Sequence, residues 1–284
     1  KIEPLGGQDG HALPSANMPW IDRLTWNGRR VQWLTWTLVC ILPCLAVEVA
    51  DPEAAVQTIF SELVRSKLRF AAIAVCSDDP IRHWTCGQLC EDTLPSIVNG
   101  SQELLGPTLD FQVRGYLVRL FDDNANRCMI SFPGTSFLNI HNILADALFW
   151  REGWLAWETE GGPCAHTNWR AGCAVHHGFA AAYSELRGQL LDAIARLDCR
   201  NVTVVGHSLG GVLAMLASME LRACHSDRVN VSDVWTFGMP RAGNLEFAKA
   251  YLSIGGFPPM WRVVHSMDLI PRVPPFALGY RHPP

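Results

Sequence analysis

Apolar and polar positions repeat with two different periods along most of the chain, and the two periods predict a mixed α/β domain. Apolar residues at helical spacing predict helices over residues 52–70 and 179–197, and a third helix is predicted from Gly211 onward. The continuous apolar run of residues 202–205 is typical of a buried parallel strand. Further strands are predicted over residues 111–120, 127–132, 234–237 and 261–264. Strands that alternate with long helices predict a mostly parallel sheet covered by helices on both faces.

The segment before this domain has the layout of a leader. It carries charged residues up to Arg29 and Arg30, then an apolar stretch over residues 31–47, and then a small residue at Ala50. This order of charged, apolar and small residues is typical of a secretory signal peptide. The apolar stretch is near the lower limit for a membrane span, so a signal anchor is the alternative.

The domain organisation follows from this leader. Residues 18–50 are predicted to be a signal peptide, with residues 31–50 as a membrane anchor in the alternative interpretation. Residues 1–17 are expected to be upstream sequence without a structural role, and residues 51–284 are expected to form the folded domain. The protein is accordingly predicted to be secreted, or else anchored to a membrane.

Composition narrows the class of protein. The chain has 284 residues, of which 49% are hydrophobic and 18% are charged, with a net charge of −4. This length supports one large domain with a sizeable core. Because there is no basic run and no basic excess, no nucleic-acid partner is predicted. The oligomeric state is not predicted.

Cysteine usage agrees with export. Cys40 and Cys44 lie in the leader, and an even number of cysteines remains in the domain, which predicts disulfides whose pairing is left open, with some buried thiols as an alternative. The spacing of Cys86 and Cys90 could also be half of a metal site, but no partner group matches it, so no metal is predicted. The cysteines of the domain are Cys76, Cys86, Cys90, Cys128, Cys164, Cys173, Cys199 and Cys224.

Three glycosylation sequons, at Asn99, Asn201 and Asn230, also fit an exported protein.

The stretch from Val202 to Leu221 contains the most informative motif, Gly-His-Ser-Leu-Gly centred on Ser208. It stands between a predicted strand and a predicted helix, where a sharp turn would lift the serine hydroxyl above the sheet at a helix N-terminus. The sequence therefore predicts that Ser208 is a nucleophile and that the N–H of Leu209 stabilises an acyl oxyanion. The alternative is a glycine-rich turn with an incidental serine.

A nucleophilic serine needs a base and a carboxylate that orients it. Among the carboxylates after Ser208, Asp268 follows an apolar strand and is expected at its C-terminal end, the edge where sites form in parallel sheets. A second turn, Pro133-Gly134-Thr135, follows a predicted strand. Thr135 could supply a second oxyanion donor through its N–H and hydroxyl, or the turn could simply end the strand.

Together these residues resemble the fungal-lipase-like family, also called lipase class 3, of the α/β-hydrolase superfamily. The resemblance covers roughly residues 55–284, and it departs from the family at Pro133, where the family usually has arginine. The matching segments are residues 71–90, ISFPGT (130–135), NILADALF (142–149), VHHGF (175–179), VVGHSLGG (204–211), FGMPRAGNLEFA (237–248) and RVVHSMDLIPRVPP (262–275).

This resemblance implies an α/β-hydrolase fold and a triacylglycerol lipase or related carboxylic ester hydrolase that uses water and no cofactor. Carried over to this chain, it implies Ser208 as nucleophile, Asp268 as acid, and Thr135 and Leu209 as oxyanion donors. It also implies a lid helix after the oxyanion strand, which would cover the site in water and open against an oil–water or membrane interface. The apolar face of this lid would include Ile140, Ile143, Leu144 and Leu148.

The catalytic histidine is not identified. The resemblance implies a histidine several tens of residues beyond the acid, whereas the sequence ends 16 residues after Asp268 and contains only His282 in that stretch. His282 matches a family histidine that is not the base, so it is a weak candidate. The expectation is therefore a domain that is incomplete at its C-terminus, with the base beyond Pro284, and a chain that hydrolyses esters feebly as it stands.

Three functional interpretations remain. The first is a secreted lipase that hydrolyses acylglycerol esters through an acyl-enzyme on Ser208. The second is another esterase on the same fold, such as a phospholipase or a feruloyl-type esterase. The third is a lipase-like protein that binds lipid without catalysis.

Overall fold

A mixed seven-stranded sheet with helices on both faces forms the body of the protein. The computed structural model describes residues 2–4, 52–121, 126–134, 151–153, 173–253 and 260–283. The helices are α1 (Pro52–Ile73), α2 (Asp78–His83), α3 (Gln88–Thr93), α4 (His177–Arg196), α5 (Leu209–Cys224) and α6 (Leu245–Ser253). The strands are β1 (Ile2–Pro4), β2 (Glu103–Leu105), β3 (Gly115–Arg119), β4 (Arg127–Phe132), β5 (Arg151–Gly153), β6 (Ala174–His176), β7 (Asn201–His207), β8 (Asn230–Phe237) and β9 (Met260–Val263).

The strand order is β1-β9-β8-β7-β4-β3-β2, and β5 and β6 form a separate antiparallel pair. Strands β4, β7, β8 and β9 run parallel to one another, while β1, β2 and β3 add antiparallel edges. The predicted α/β fold with a mostly parallel central sheet is confirmed. The carboxyl ends of the four parallel strands therefore meet at one edge of the sheet.

Helices cover the two faces of the sheet with two hydrophobic clusters. Helices α4, α5 and α6 pack on one face, where the core includes Leu186, Val212 and Phe247. Helix α1 packs on the other face, where Phe70 and Trp235 belong to a second cluster. Because both faces are covered, strand β7 is buried continuously from Val202 to Val205 rather than at alternate positions.

One strand is shorter than its pattern predicts. Residues 111–120 were expected to be a strand, but β3 begins at Gly115. The preceding residues form a tight loop, in which the N–H of Thr108 donates to Val113 O at 3.0 Å and Gln112 has a φ of 51°. These local hydrogen bonds satisfy the backbone without a neighbouring strand.

The short strand β1 pairs antiparallel with β9, with Ile2 opposite Val263. The unpaired N–H and C=O groups of an edge strand such as β9 readily accept a short extended segment. The expectation that residues 1–17 are upstream sequence without a structural role stays a prediction.

Disulfides are present, as predicted. Cys76 is bonded to Cys86, and Cys128 to Cys199, which joins β4 to the residues before β7. Cys173 is also disulfide-bonded, whereas Cys90 and Cys224 remain thiols. Because Cys86 is in a disulfide, its spacing to Cys90 does not mark a metal site.

None of the described helices combines the length and the apolar character needed to cross a membrane. The predicted leader, residues 18–50, and the predicted lid face with Ile140, Ile143, Leu144 and Leu148 lie outside the described residues. They stay predictions.

Candidate active site

Ser208 occupies a strained turn between β7 and α5. Its backbone has φ 53° and ψ −122°, a conformation that non-glycine residues rarely adopt. The turn is held by the N–H of Ser208, which donates to Phe237 O on the neighbouring strand at 2.8 Å. The side chain is buried, and within the described part of the chain its Oγ has no hydrogen-bond partner. A strained serine with an uncommitted hydroxyl is the arrangement expected of a nucleophile.

Two glycines of the motif allow the backbones to approach this closely. A Cβ on Gly206 would lie 2.0 Å from Gly210 O, and a Cβ on Gly210 would lie 2.2 Å from Phe132 O. Any side chain at either position would collide with backbone atoms. The first turn of α5 is therefore packed directly against the end of β4, which brings the β4 turn next to Ser208.

The oxyanion donors are expected in this same crevice. Leu209 is the first residue of α5, so its N–H has no acceptor within the helix and lies at the positive end of the helix dipole. Thr135 itself lies outside the described residues. Gly134, which precedes it, lies beside the nucleophile, because a Cβ on Gly134 would be 3.2 Å from Ser208 Cβ.

Asp268 lies at the same edge of the sheet, on the loop after β9. Its N–H donates to His265 O at 3.0 Å, and its Oδ1 accepts from the N–H of Ile270 at 2.9 Å. Its Oδ2 is 2.7 Å from the position that a Cβ on Gly238 would occupy, directly after β8. The loop therefore fixes one carboxylate oxygen and directs the other toward the turn after β8.

His207 lies between the nucleophile and the acid. A Cβ on Gly134 would be 2.7 Å from its Nδ1, and a Cβ on Gly238 would be 3.9 Å from its Nε2. His207 is exposed when its backbone and side chain are counted together. Desolvation of the imidazole ring nevertheless lowers the pKa of His207, and the negative charge of Asp268 opposes this shift only in part. His207 is therefore neutral at neutral pH and adds no positive charge beside Ser208.

Three other carboxylates after Ser208 belong to different surroundings. Glu220 is buried near the far end of α5, about 18 Å along the helix from Ser208 at the standard rise per residue. It accepts hydrogen bonds from Tyr183 Oη at 2.6 Å and from Arg187 Nε. Asp227 is exposed beside Arg228, and Asp233 lies within the strand β8, four residues before its carboxyl end. Asp268, unlike these three, shares the edge with Ser208.

His282 does not join the site. Its Nε2 is 2.8 Å from Pro271 O, so this nitrogen donates to a backbone carbonyl. Burial, together with the positive charges of Arg262 and Arg241, lowers the pKa of His282 to about 3. Such a histidine is a poor proton acceptor, and no hydrogen bond between described residues joins it to Ser208 or Asp268.

Comparisons with known proteins agree with this geometry. The family described as lipase (class 3) matches residues 129–278, more than half of the chain. The chain belongs to the class 3 lipase family.

Two curated relatives are fungal lipases. The chain is 28% identical over 199 residues to a secreted mono- and diacylglycerol lipase from Malassezia globosa, covering 68% of this chain and 62% of that protein. It is 31% identical over 222 residues to a lipase from Rhizopus niveus, covering 75% of this chain and 50% of that protein. The matched region thus spans about half to three fifths of the length of these relatives.

A solved structure shows the same fold. The lipase from Rhizopus microsporus var. chinensis superposes with a TM-score of 0.59 and is 29% identical in sequence, covering 77% of this chain and 70% of that chain. The α/β-hydrolase fold implied by the resemblance is therefore confirmed.

The structure also shows contacts of two glycines of this class 3 lipase that sequence reasoning did not predict. Gly134 and Gly238 flank the ring of His207, and Gly238 has a φ of 61°, which favours glycine. The signal available in the sequence was a glycine within two residues of the end of each of two strands. Their contacts with Ser208 and Asp268 depend on the packing of distant segments.

Proposed function

We propose that this protein is a lipase that hydrolyses carboxylic esters of acylglycerols through an acyl-enzyme on Ser208. The observation that carries the proposal is the strained Ser208, with its uncommitted hydroxyl at the N-terminus of α5 and Asp268 at the same sheet edge. Support also comes from the relative in Malassezia globosa, which is named a mono- and diacylglycerol lipase.

The mechanism follows from the positions of these groups. Ser208 Oγ attacks the ester carbonyl while a base accepts its proton, and the tetrahedral oxyanion receives hydrogen bonds from the N–H of Leu209 and from Thr135. The oxyanion collapses, the alcohol leaves with the proton, and water then hydrolyses the acyl-enzyme by the same steps. Asp268 orients the base and stabilises its protonated form. The base itself is not assigned to any of the described residues.

Access of lipid to the site is the second part of the proposal. We propose that the helix with Ile140, Ile143, Leu144 and Leu148 covers Ser208 in water and moves aside at an oil–water or membrane interface. On opening, the apolar face of this helix would leave the covered site and contact lipid instead. Opening at the interface would therefore cost little free energy. Lipid at an interface is the partner that this arrangement requires.

The experiment that tests the proposal is a substrate panel on the protein expressed from its complete reading frame, with Ser208→Ala as the control. Emulsified mono-, di- and triacylglycerols are expected to be hydrolysed faster than phospholipids or feruloyl esters. Preference for phospholipid or feruloyl ester would favour the second interpretation. Binding to emulsions without release of fatty acid would favour a non-catalytic protein and contradict the proposal.

Export is proposed together with this function, and it makes one sequon the expected glycosylation site. Asn99 is exposed in a turn closed by the N–H of Ser101, which donates to Val98 O at 3.1 Å, and a Cβ on Gly100 would meet nothing within 4 Å. Asn201 and Asn230 are instead opposed across β7 and β8, where Asn230 Nδ2 donates to Asn201 Oδ1 at 3.1 Å.

On secretion from a eukaryotic host, the protein should therefore carry a glycan at Asn99. An endoglycosidase-sensitive mass shift that disappears in Asn99→Gln, and persists in Asn230→Gln, is the expected result. A shift that survives Asn99→Gln unchanged would show that another sequon carries the glycan.

Gly238 offers a test of how Asp268 is positioned. In Gly238→Ala the new Cβ would collide with Asp268 Oδ2, and displacement of a catalytic group by about 1 Å is expected to lower kcat about a hundredfold. The left-handed backbone adds a cost of about 1 kcal/mol in the free energy of unfolding.

Gly87 supplies the matched control for this variant. It has a φ of 62°, against 61° at Gly238, but a Cβ there would meet nothing within 4 Å. Gly87→Ala should therefore have a similar cost in stability with unchanged kcat. If the two variants lost activity equally, or if Gly238→Ala kept full activity, the placement of Asp268 would be wrong.

A further inference from the structure

The turn from Val98 to Ser101 is exposed and open. Asn99 and Gly100 occupy its two central positions, and both are exposed. The turn is closed by the N–H of Ser101, which donates to Val98 O at 3.1 Å, and Gly100 has a φ of 83°, which favours glycine. A Cβ on Gly100 would meet nothing within 4 Å, so the space on that side of the turn is empty.

Two groups of this turn are reactive toward each other and are not engaged elsewhere. Within the described part of the chain, no hydrogen bond involves the side-chain amide of Asn99, and the N–H of Gly100 has no acceptor. The nitrogen of Gly100 can reach Cγ of Asn99 by closing a five-membered ring, and glycine has no Cβ to hinder this approach. Among the described residues, Asn99 is the one asparagine that precedes a glycine.

We propose that Asn99 is a site of spontaneous deamidation, at which asparagine without a glycan converts to aspartate and isoaspartate. The backbone nitrogen of Gly100 attacks Cγ of Asn99 and gives up its proton, while the Cγ–Nδ2 bond breaks and Nδ2 leaves as ammonia. Water then opens the resulting succinimide ring. Opening at Cγ gives aspartate, and opening at the backbone carbonyl carbon gives isoaspartate, so the reaction needs no reagent besides water.

The two other sequon asparagines lack this arrangement. Asn201 and Asn230 are the first residues of β7 and β8, and each is followed by a valine in a paired strand. Asn230 Nδ2 donates to Asn201 Oδ1 at 3.1 Å, so a hydrogen bond restrains both side chains. The branched side chain of valine also crowds the backbone nitrogen that would have to attack. These two asparagines are therefore expected to deamidate slowly.

Glycosylation and deamidation compete for the same atom of Asn99. Nδ2 is the atom that accepts an N-linked glycan, and deamidation removes it. A glycan on Nδ2 would in turn cover Cγ and replace ammonia by a bulky leaving group. The glycan proposed at this position therefore protects the turn. This inference goes beyond the proposed function, because neither modification requires catalysis at Ser208.

Isoaspartate would disturb the contacts of Ser101. It adds one methylene group to the backbone between Val98 and Ser101. Ser101 is buried, and its Oγ accepts from the N–H of Arg119 at 3.0 Å and donates to Val98 O. The longer backbone would weaken this link between the turn and the end of β3. That end of β3 lies beside the start of β4, at the opposite edge of the sheet from Ser208, so the site itself should be unaffected.

Peptide mapping of aged protein tests the proposal. The protein, expressed from its complete reading frame in a host without N-glycosylation, is incubated in mildly alkaline buffer. Mass spectrometry measures conversion of amide to acid, and isoaspartyl methyltransferase labelling measures isoaspartate. Asn99 should deamidate at least about tenfold faster than Asn201 or Asn230, because glycine leaves the attacking nitrogen unhindered and valine does not. Protein secreted from a eukaryotic host, mapped with its glycan intact, should keep Asn99 unchanged.

Gly100→Ala tests the role of the residue that attacks. It keeps the sequon, and the new Cβ has room, but the added methyl group should slow deamidation of Asn99 about tenfold. Gly87→Ala is the matched control, because Gly87 has a φ of 62° and equal room for a Cβ. It should leave the rate at Asn99 unchanged. Thermal unfolding of both variants shows that they are folded.

The outcomes separate this site from the enzyme. Equal rates at Asn99 and Asn201, or equal rates at Asn99 in the wild-type protein and in Gly100→Ala, would overturn the proposal. Loss of the Asn99 amide at the same rate with the glycan attached would overturn the protective role. A protein that deamidates at Asn99 but releases no fatty acid from any ester would instead overturn the proposed function and leave this site intact.

Discussion

Replacement of Ser208 by alanine is expected to lower kcat for ester hydrolysis by about four orders of magnitude or more, with little change in stability. The acyl-enzyme cannot form without the hydroxyl, and what remains is the smaller contribution of the oxyanion donors and of substrate binding. Because Ser208 Oγ has no hydrogen-bond partner within the described residues, its removal breaks no structural contact there. The measurement is release of fatty acid from an emulsified acylglycerol by the protein expressed from its complete reading frame.

Ser218 provides the matched control on the same helix. It is buried like Ser208, and its hydroxyl donates to Met215 O at 2.7 Å, one turn away. Ser218→Ala should therefore keep kcat within about twofold, since the contacts that it loses, with Met215 O and with Tyr251, lie about 15 Å along the helix from Ser208. A comparable loss of activity in the two alanine variants would indicate damage to α5 rather than loss of a nucleophile.

Replacement of Gly210 by alanine is expected to destabilise the protein by about 3 kcal/mol or more. The new Cβ would lie 2.2 Å from Phe132 O and 2.4 Å from Pro133 O, both backbone atoms that no rotamer change can move. Overpacking of this kind costs about 1–3 kcal/mol when side chains can give way, and more when backbone has to shift. The midpoint of denaturant unfolding measures the effect, provided that the slope is unchanged.

Gly188, in α4, is the matched control because it is also a helical glycine. A Cβ there would meet nothing within 4 Å, so Gly188→Ala should stabilise the protein by up to about 1 kcal/mol through better helix propensity. The difference between the two variants isolates the contact between α5 and the end of β4. If Gly210→Ala were as stable as Gly188→Ala, the close packing that brings the β4 turn to Ser208 would be absent.

Local pattern was sufficient to predict the central elements and the nucleophile. The run from Val202 to Val205 followed by Gly-His-Ser-Leu-Gly predicted a buried strand, a sharp turn and a helix, and β7, Ser208 and α5 have this arrangement. The position of Asp268 after a predicted strand placed it at the correct edge of the sheet. In each case the information lies within about ten residues of the chain.

Features that depend on contacts between distant segments were not predictable in this way. Nothing local to Gly238 indicates that Asp268 Oδ2 lies against it, because that contact joins the turn after β8 to the loop after β9. Similarly, Arg241 is near Arg281 only because the chain folds back between them. The prediction that β3 begins at residue 111 was wrong for a local reason. The loop from Thr108 to Val113 forms a backbone hydrogen bond of its own, so the strand begins only at Gly115.

The central claim, that Ser208 is the nucleophile, is tested most directly by covalent labelling. The protein expressed from its complete reading frame is treated with diethyl p-nitrophenyl phosphate, and the modified peptide is identified by mass spectrometry. The account predicts a single diethyl phosphate adduct, located on Ser208 and absent from Ser208→Ala. An adduct on another residue, or a fully active enzyme whose Ser208 stays unmodified while its activity is lost to the reagent, would contradict it.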